Sequence, residues 1–427
     1  MRSSVVWHPF TQMRGVESFP EVRSAQADRL TLKDGTTLID AISSWWVITH
    51  GHCHPDIMKA IRDQTRKLDQ VIFAGFTHRG AEMLAAALVE MTPPKLTRVF
   101  FSDDGSTAVE VALKMALQAC KQRGEPQRKL FLAFDCAYHG DTVGAMSVGG
   151  EGIFTQSYKH LLFQVVRAGH PTHSQAPVSA YLEDFLSKLE TYGHQLAGVV
   201  VEPLIQGAGG MIMWPPAAVE EIVLRSQALG IPVIFDEVMT GFGRTGEIFA
   251  MDHLAVAPDL VCLSKGLTGG ALPLAVTLAS EEIYEAFLSE DRHQTFFHGH
   301  SFTANPIACA AANASLALIQ NPEVRDAWAR INSVHRERLA GIKYGEILED
   351  SRCFGTVAAV EIKAPKSGYL APIGPALYQH AFSQGVLLRP LGNVLYLLPP
   401  YCMDLGTLHR VWDVLESCLG LARKTNG

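Results

Sequence analysis

Seven short apolar runs, separated for the most part by amphipathic stretches, dominate the middle of this 427-residue chain. They lie at 98–102, 129–134, 163–167, 198–202, 233–236, 260–263 and 274–278. Runs that are apolar on every residue, rather than on alternate ones, must be covered on both faces. With helices between them, the arrangement that satisfies this is a mostly parallel sheet sandwiched by helices. The expected fold class is therefore α/β, with a large domain built on a seven-stranded sheet. In such sheets ligands settle beyond the carboxyl ends of the strands, and this is where chemistry is to be sought.

A chain of this length exceeds what one small core needs. The pattern changes after about residue 310, where a helical stretch runs from Pro306 to near Gln320. Strand candidates follow at 357–362, 386–389 and 394–398. Near the N-terminus, residues 29–41 read as a hairpin turning at Asp34-Gly35. We expect a large domain over 57–318 and a smaller α/β domain over 319–427, completed by the N-terminal segment 1–56.

Composition narrows the function. Hydrophobic residues make up 48% and charged residues 19%, an ordinary balance for a globular protein. A net charge of −7 and the lack of a basic tract argue against nucleic acid as a partner. The eight cysteines (Cys53, Cys120, Cys136, Cys262, Cys309, Cys353, Cys402 and Cys418) include no C-x-x-C pair, which fits reduced thiols in the cytoplasm. The start of the chain lacks the apolar run of a signal peptide, and no stretch has the length of a membrane span. A soluble, cytoplasmic protein is expected.

Two strand ends stand out. Lys265 closes the run Pro258-Asp259-Leu260-Val261-Cys262-Leu263-Ser264, and Asp236 closes Pro232-Val233-Ile234-Phe235. An ammonium beside buried strand is costly unless it is paired or neutralised. Condensation with an aldehyde neutralises it. A strand-end lysine with a strand-end aspartate supplies what pyridoxal 5′-phosphate (PLP) requires: a Schiff-base amine and an acceptor for the protonated pyridine nitrogen. The competing reading has Lys265 snorkelling from its strand while Asp236 caps a helix.

Other motifs bear on that choice. Ser102-Asp103-Asp104-Gly105-Ser106-Thr107 follows a strand and opens a helix, where backbone N–H groups and the helix dipole favour an anion such as phosphate. The same residues also suit a plain N-cap. Tyr138, at the next strand exit in Tyr138-His139-Gly140-Asp141, is either a ring that stacks on a planar cofactor or a partly buried loop tyrosine. Gly241-Phe242-Gly243-Arg244-Thr245-Gly246 matches G-x-G-x-x-G but follows a strand and two carboxylates deep in the chain, so we read it as a flexible loop beside the site and not as a dinucleotide fingerprint. His50-Gly51-His52-Cys53-His54 lacks a second ligand cluster at metal spacing, and a turn entering a helix at Pro55 explains it better. Arg389, at a strand end of the second domain, is placed either to grip a carboxylate through two parallel hydrogen bonds or to form a structural ion pair.

Taken together the motifs resemble the class III, fold-type I PLP-dependent aminotransferases, and among them the 7,8-diaminopelargonate synthases of biotin synthesis. The features shared with the wider class are Val233-Ile234-Phe235-Asp236-Glu237, the 241–246 loop and Leu263-Ser264-Lys265-Gly266. Those closer to the biotin enzymes are Trp7-His8-Pro9-Phe10-Thr11-Gln12-Met13, Ser43-Ser44-Trp45-Trp46 and the stretches 104–115, 138–148, 206–210 and 388–401.

The resemblance implies a homodimer with shared active sites that transfers an amino group to 8-amino-7-oxononanoate. It implies that Lys265 carries the cofactor, Asp236 pairs with the ring nitrogen, Tyr138 stacks near the ring, and Gly105 and Ser106 bind the phosphate. The segment His298-Gly299-His300-Ser301-Phe302 would reach the phosphate of the other subunit, with His300 and Ser301 where the class often has proline and threonine. Trp45, Gly299, Phe10 and Arg389 would line the substrate pocket, with Arg389 taking the carboxylate. Phe10 stands where a tyrosine is frequent, and the family uses either S-adenosylmethionine or lysine as amino donor. No metal is implied.

Overall fold

The computed structural model describes residues 5–16, 18–170 and 177–426, so the first four residues of the N-terminal stretch lie outside the described residues. The chain opens with three strands, β1 (Val22–Gln26), β2 (Arg29–Leu32) and β3 (Thr37–Asp40), joined as antiparallel neighbours. The β2–β3 hairpin is the one expected around Asp34-Gly35. β1 escaped the sequence reading because it is almost wholly exposed and carries no apolar pattern.

The central sheet begins with β4 (Leu96–Ser102), β5 (Leu130–Phe134), β6 (Val165–Ala168) and β7 (Leu196–Val201). A two-residue hairpin, β8 (Ile205–Gln206) with β9 (Ile212–Met213), interrupts it. The sheet then continues with β10 (Val233–Asp236), β11 (Leu260–Leu263) and β12 (Ala275–Ser280). Its seven strands run in the order β4-β12-β11-β10-β7-β5-β6, as an α/β fold of the expected class. All neighbours are parallel except β12, which is antiparallel to both β11 and β4. The chain returns directly from β11 to β12 through Gly269 and Gly270, whose φ angles of +64° and +83° allow a reversal without a crossover helix.

The apolar runs are continuous because successive residues serve different layers. On β10, Val233 and Phe235 belong to one hydrophobic core and Ile234 to another. On β11, Val261 and Leu263 face the first core while Leu260 and Cys262 face the second. Helix Gly105–Gln122 fills the second layer with Ala108, Val111, Ala112 and Ala116, and its exposed stripe includes Lys114 and Lys121. Helices Val178–Tyr192 and Pro216–Ala228 cover the other face.

After helices Pro306–Ile319 and Pro322–Ala340 the chain forms β13 (Leu348–Phe354) and β14 (Val357–Ile362), then β15 (Val386–Leu387) and β16 (Val394–Leu397). β13, β14 and β16 make a three-stranded antiparallel sheet. β15 instead pairs in parallel with β3, Val386 opposite Ile39 and Leu387 opposite Asp40, so the N-terminal and C-terminal segments share one sheet.

The segment 241–246 differs from its expectation as a flexible loop. Residues 241–245 are buried. The guanidinium of Arg244 donates to the carbonyls of Pro399 (2.9 Å) and Trp46 (3.2 Å) and stacks on Tyr401. These partners come from distant parts of the chain, so nothing local in the sequence announces that the loop is locked. Gly355, at φ +57°, is the tightest point of this contact, since a Cβ there would stand 2.1 Å from the carbonyl carbon of Thr245. Gly355→Ala is therefore expected to destabilise the protein by about 3 kcal/mol, because backbone cannot yield as a side chain can. Denaturant unfolding measures this; an unchanged midpoint would show that the two loops do not approach so closely.

Candidate active site

The carboxyl ends of β5, β7, β10 and β11 and the start of helix Gly105–Gln122 surround a cleft of about 540 Å³. Asp236 and Lys265 both line it, as do Gly105, Ser106 and Tyr138. Register explains the first pair. Asp236 lies opposite Cys262 in the parallel β10–β11 ladder, so Lys265 emerges over the same sheet edge a few residues later.

Asp236 is held from two sides. Its Oδ1 accepts from the N–H of Val238 (3.0 Å) and its Oδ2 from Nδ1 of His139 (2.7 Å). Burial alone would lower the His139 pKa, but the bond to Asp236 and the charges of Asp236 and Glu202 outweigh it, so the net shift is upward. Its Nε2 is buried without a hydrogen-bond partner.

Lys265 takes a left-handed backbone conformation (φ +45°) as it leaves β11. Its Nζ lies 4.8 Å from the centre of the Trp46 ring, and among the described residues it forms no ion pair. Loss of water around the amine lowers its pKa to about 8, a shift partly offset by Asp236 and Glu202. The competing expectations, a snorkelling lysine and a helix-capping aspartate, are not met: both groups point into the cleft.

The helix start is both an N-cap and an open donor site. Asp104 caps it by accepting from the N–H of Thr107 (2.9 Å), and Ser106 Oγ donates to the same carboxylate (2.7 Å). The N–H groups of Gly105 and Ser106 point outward from a first turn without intrahelical partners. Gly140 is packed directly against Ser106, where a Cβ would stand 2.1 Å from the serine Cβ. Tyr138 is fixed in this wall by Glu202, whose Oε1 accepts from the tyrosine N–H (2.8 Å) while Oε2 accepts from Gly207 (2.9 Å). Burial raises Glu202 to about 7. Burial also raises the Tyr138 phenol, as do the charge of Asp141 and a hydrogen bond to it.

A second group of aromatic rings adjoins this cleft. Trp45 lies under the guanidinium of Arg389, 4.4 Å from ring centre to Cζ. Phe10 meets Trp45 edge-on at 5.3 Å and Phe154 at 5.9 Å, and Phe154 in turn contacts Tyr138 (5.7 Å) and Tyr369 (4.9 Å). Among the described residues Arg389 makes no ion pair, and its guanidinium lies against the Trp45 ring.

Gly299, His300 and Ser301 are not part of this wall within one chain. His300 Nε2 lies 3.9 Å from Asp103, and the Ser301 carbonyl accepts from Gln70 (2.7 Å). Of the histidines at 50–54, His50 bonds Ser315 and His52 pairs with Asp40. Sequence reasoning missed His139, Glu202, Phe154 and Tyr369 as parts of the site. His139 and Glu202 carried a usable signal, since each stands at a strand exit. Phe154 and Tyr369 carried none, because only the tertiary fold brings them together.

The chain matches known proteins along nearly its whole length. The model of the family described as "Aminotransferase class-III" matches residues 12–419. An adenosylmethionine-8-amino-7-oxononanoate aminotransferase of Synechococcus elongatus is 47% identical, covering 97% of this chain and 98% of that protein. One of the same name from Geobacter sulfurreducens is 38% identical over 97% of this chain and 95% of its own. The crystal structure of an adenosylmethionine-8-amino-7-oxononanoate aminotransferase from Methanocaldococcus jannaschii superposes with a TM-score of 0.92 at 34% identity, covering 97% of each chain.

With its pKa lowered to about 8, a tenth or so of the Lys265 amine is already neutral near pH 7 and most of it by pH 9. Trapping of Lys265 in the cofactor-free protein by an aromatic aldehyde and borohydride should therefore rise with pH around a midpoint near 8. A midpoint at the ordinary lysine value of 10.5 would show that the amine is solvated.

Proposed function

We infer, from a chain that belongs to the class-III aminotransferase family, that it aminates 8-amino-7-oxononanoate to 7,8-diaminononanoate in biotin synthesis, with S-adenosylmethionine as the amino donor. The observation that carries the reading is the pairing, in one cleft, of a desolvated amine that has no ionic partner among the described residues and a carboxylate anchored by His139.

The residues present fit PLP. The amine of Lys265 suits the aldehyde, and Asp236 suits the ring nitrogen. The donors at Gly105 and Ser106 suit the phosphate, and Tyr138 offers its ring at the wall. Bound, PLP supplies an aldehyde that takes up and gives back the amino group, and a ring that accepts electrons from the substrate carbon.

The chain's own groups do the rest. Asp236, oriented by the hydrogen bonds of Val238 and His139, would pair with the pyridine nitrogen and favour its protonated form. Lys265 Nζ, once neutral, would take a proton from the donor carbon and pass it on to the cofactor. Its low pKa lets it serve as a base near neutral pH. The unpaired guanidinium of Arg389 binds the carboxylate of the oxo acid, while Trp45, Phe10 and Phe154 shield its alkyl chain from water. Phe10 brings no hydroxyl to this wall; polar groups near it include Tyr138 and Asp141 of the cleft and the guanidinium of Arg389.

We further propose a cytoplasmic homodimer in which Gly299, His300 and Ser301 complete the phosphate site of the partner. The exposure of Phe297 (73%) and Phe302 (63%) on either side of that segment supports a covered surface. All eight cysteines are unpaired, and no described helix is long and apolar enough to cross a membrane.

Two variants and one substrate test bear on the reading. Lys265→Ala should abolish turnover, while persistence of wild-type rates would remove the lysine from the chemistry. Arg389→Ala should raise KM for the oxo acid by about 100-fold, the loss of a bidentate charged contact, with a smaller change in kcat. The deciding assay offers 8-amino-7-oxononanoate with S-adenosylmethionine and, separately, with lysine. Product with the first alone is expected; product with lysine alone overturns the donor, and product with neither overturns the substrate.

A further inference from the structure

Residues 43–46 form a turn of left-handed helix without a single glycine. The φ angles of Ser43, Ser44, Trp45 and Trp46 are +53°, +43°, +70° and +75°. Such conformations are disfavoured for side chains of this kind and persist only where the surroundings over-determine them. The turn has a consequence for the cleft, since it carries both tryptophans. Trp46 faces the amine of Lys265, and Trp45 forms the face on which Arg389 lies.

The restraint comes from Asp40, the last residue of β3, whose side chain is fully buried. Its Oδ2 accepts from Ser44 Oγ (2.7 Å), inside the turn, and from Nε2 of His52 (2.9 Å). Its Oδ1 accepts from the N–H of Ile42 (3.3 Å), immediately before the turn. Burial alone would raise the Asp40 pKa, but the bonds from His52 and Ser44 outweigh it and keep the group ionised. Three other contacts secure the rest of the turn. Ser43 Oγ donates to the Leu398 carbonyl (2.7 Å), Trp46 Nε1 to the Tyr396 hydroxyl (3.0 Å), and Arg244 to the Trp46 carbonyl. None of these touches Trp45. The residue directly before it, Ser44, is held by Asp40 and by the His52 that braces Asp40, whose Nε2 lies 3.3 Å from Ser44 Oγ.

We propose that Asp40 is a positioning residue for the oxo-acid substrate: its carboxylate, braced by His52, clamps the left-handed turn and so holds the Trp45 face against which Arg389 is aligned. This rests on the assignment of Trp45 and Arg389 to the substrate wall. Asp40 itself lines neither the cleft nor the aromatic group, so any effect on substrate must pass through the turn.

The test compares the holoenzymes of wild type, Asp40→Asn and Asp40→Glu, with the same change repeated in a Trp45→Ala background. Asparagine keeps size but presents an N–H₂ group to Ser44 and His52 and removes the charge. KM for the oxo acid should rise about tenfold in Asp40→Asn, with kcat changed less than about threefold. Asp40→Glu, which keeps the charge, should recover part of the loss. In the Trp45→Ala background the same substitution should change KM less than about twofold, because the group it positions is gone. A near-ultraviolet circular dichroism spectrum of Asp40→Asn, which reports tryptophan packing without any turnover, should differ from that of wild type.

An unchanged KM together with an unchanged dichroism spectrum would overturn the proposal. So would equal losses in both backgrounds, which mark a general loss of structure. If wild type itself fails to aminate the oxo acid, the substrate assignment fails, and the dichroism comparison still decides whether Asp40 holds the turn.

Discussion

The parallel pairing of β10 with β11 is the constraint on which the site depends. With Asp236 opposite Cys262, a carboxylate and an amine leave the sheet at the same edge. Any slip of register would turn one of them into a layer of hydrophobic side chains. The register is itself enforced by those layers, because Val233, Phe235, Val261 and Leu263 fill one core while Ile234, Leu260 and Cys262 fill the other. Packing and chemistry are thus set by the same alternation of side chains.

Around this edge each functional group is fixed by a neighbour that does no chemistry of its own. His139 and the Val238 N–H hold Asp236, and Glu202 holds the Tyr138 loop. Arg244 joins the 241–246 loop to the Trp46 and Pro399 carbonyls, tying the large sheet to the segments before and after it. The site carries local strain in return. Lys265 and the four residues of the tryptophan turn adopt left-handed conformations that cost on the order of 1 kcal/mol each. Strain of this kind is tolerable where dense packing has already removed the alternatives.

Much of this was legible in the sequence, for identifiable reasons. Strands buried on both faces leave uninterrupted apolar runs, so β10 and β11 were read to the residue, and the lysine and aspartate at their ends were the natural candidates. The stretch 102–107 likewise marked the start of helix Gly105–Gln122, whose cap in the structure is Asp104. What could not be read depends on contacts between distant parts of the chain. The antiparallel return of β12 follows from a glycine pair that also suits an ordinary loop. The left-handed turn at 43–46 carries no glycine to announce it, and its clamp, Asp40, looks like any residue at the end of a hairpin strand. The 241–246 loop reads as flexible because three glycines leave its backbone many conformations, while the contacts that bury residues 241–245 come from distant parts of the chain.

The claim at the centre of this account is that Lys265 and Asp236 grip opposite sides of one pyridine ring. The most direct measurement is a crystal structure of the protein purified with its cofactor. The account predicts continuous density from the Lys265 nitrogen to the aldehyde carbon, with the ring nitrogen within hydrogen-bond distance of the Asp236 carboxylate. A ring bound through another residue, or one whose nitrogen lies far from Asp236, would contradict it.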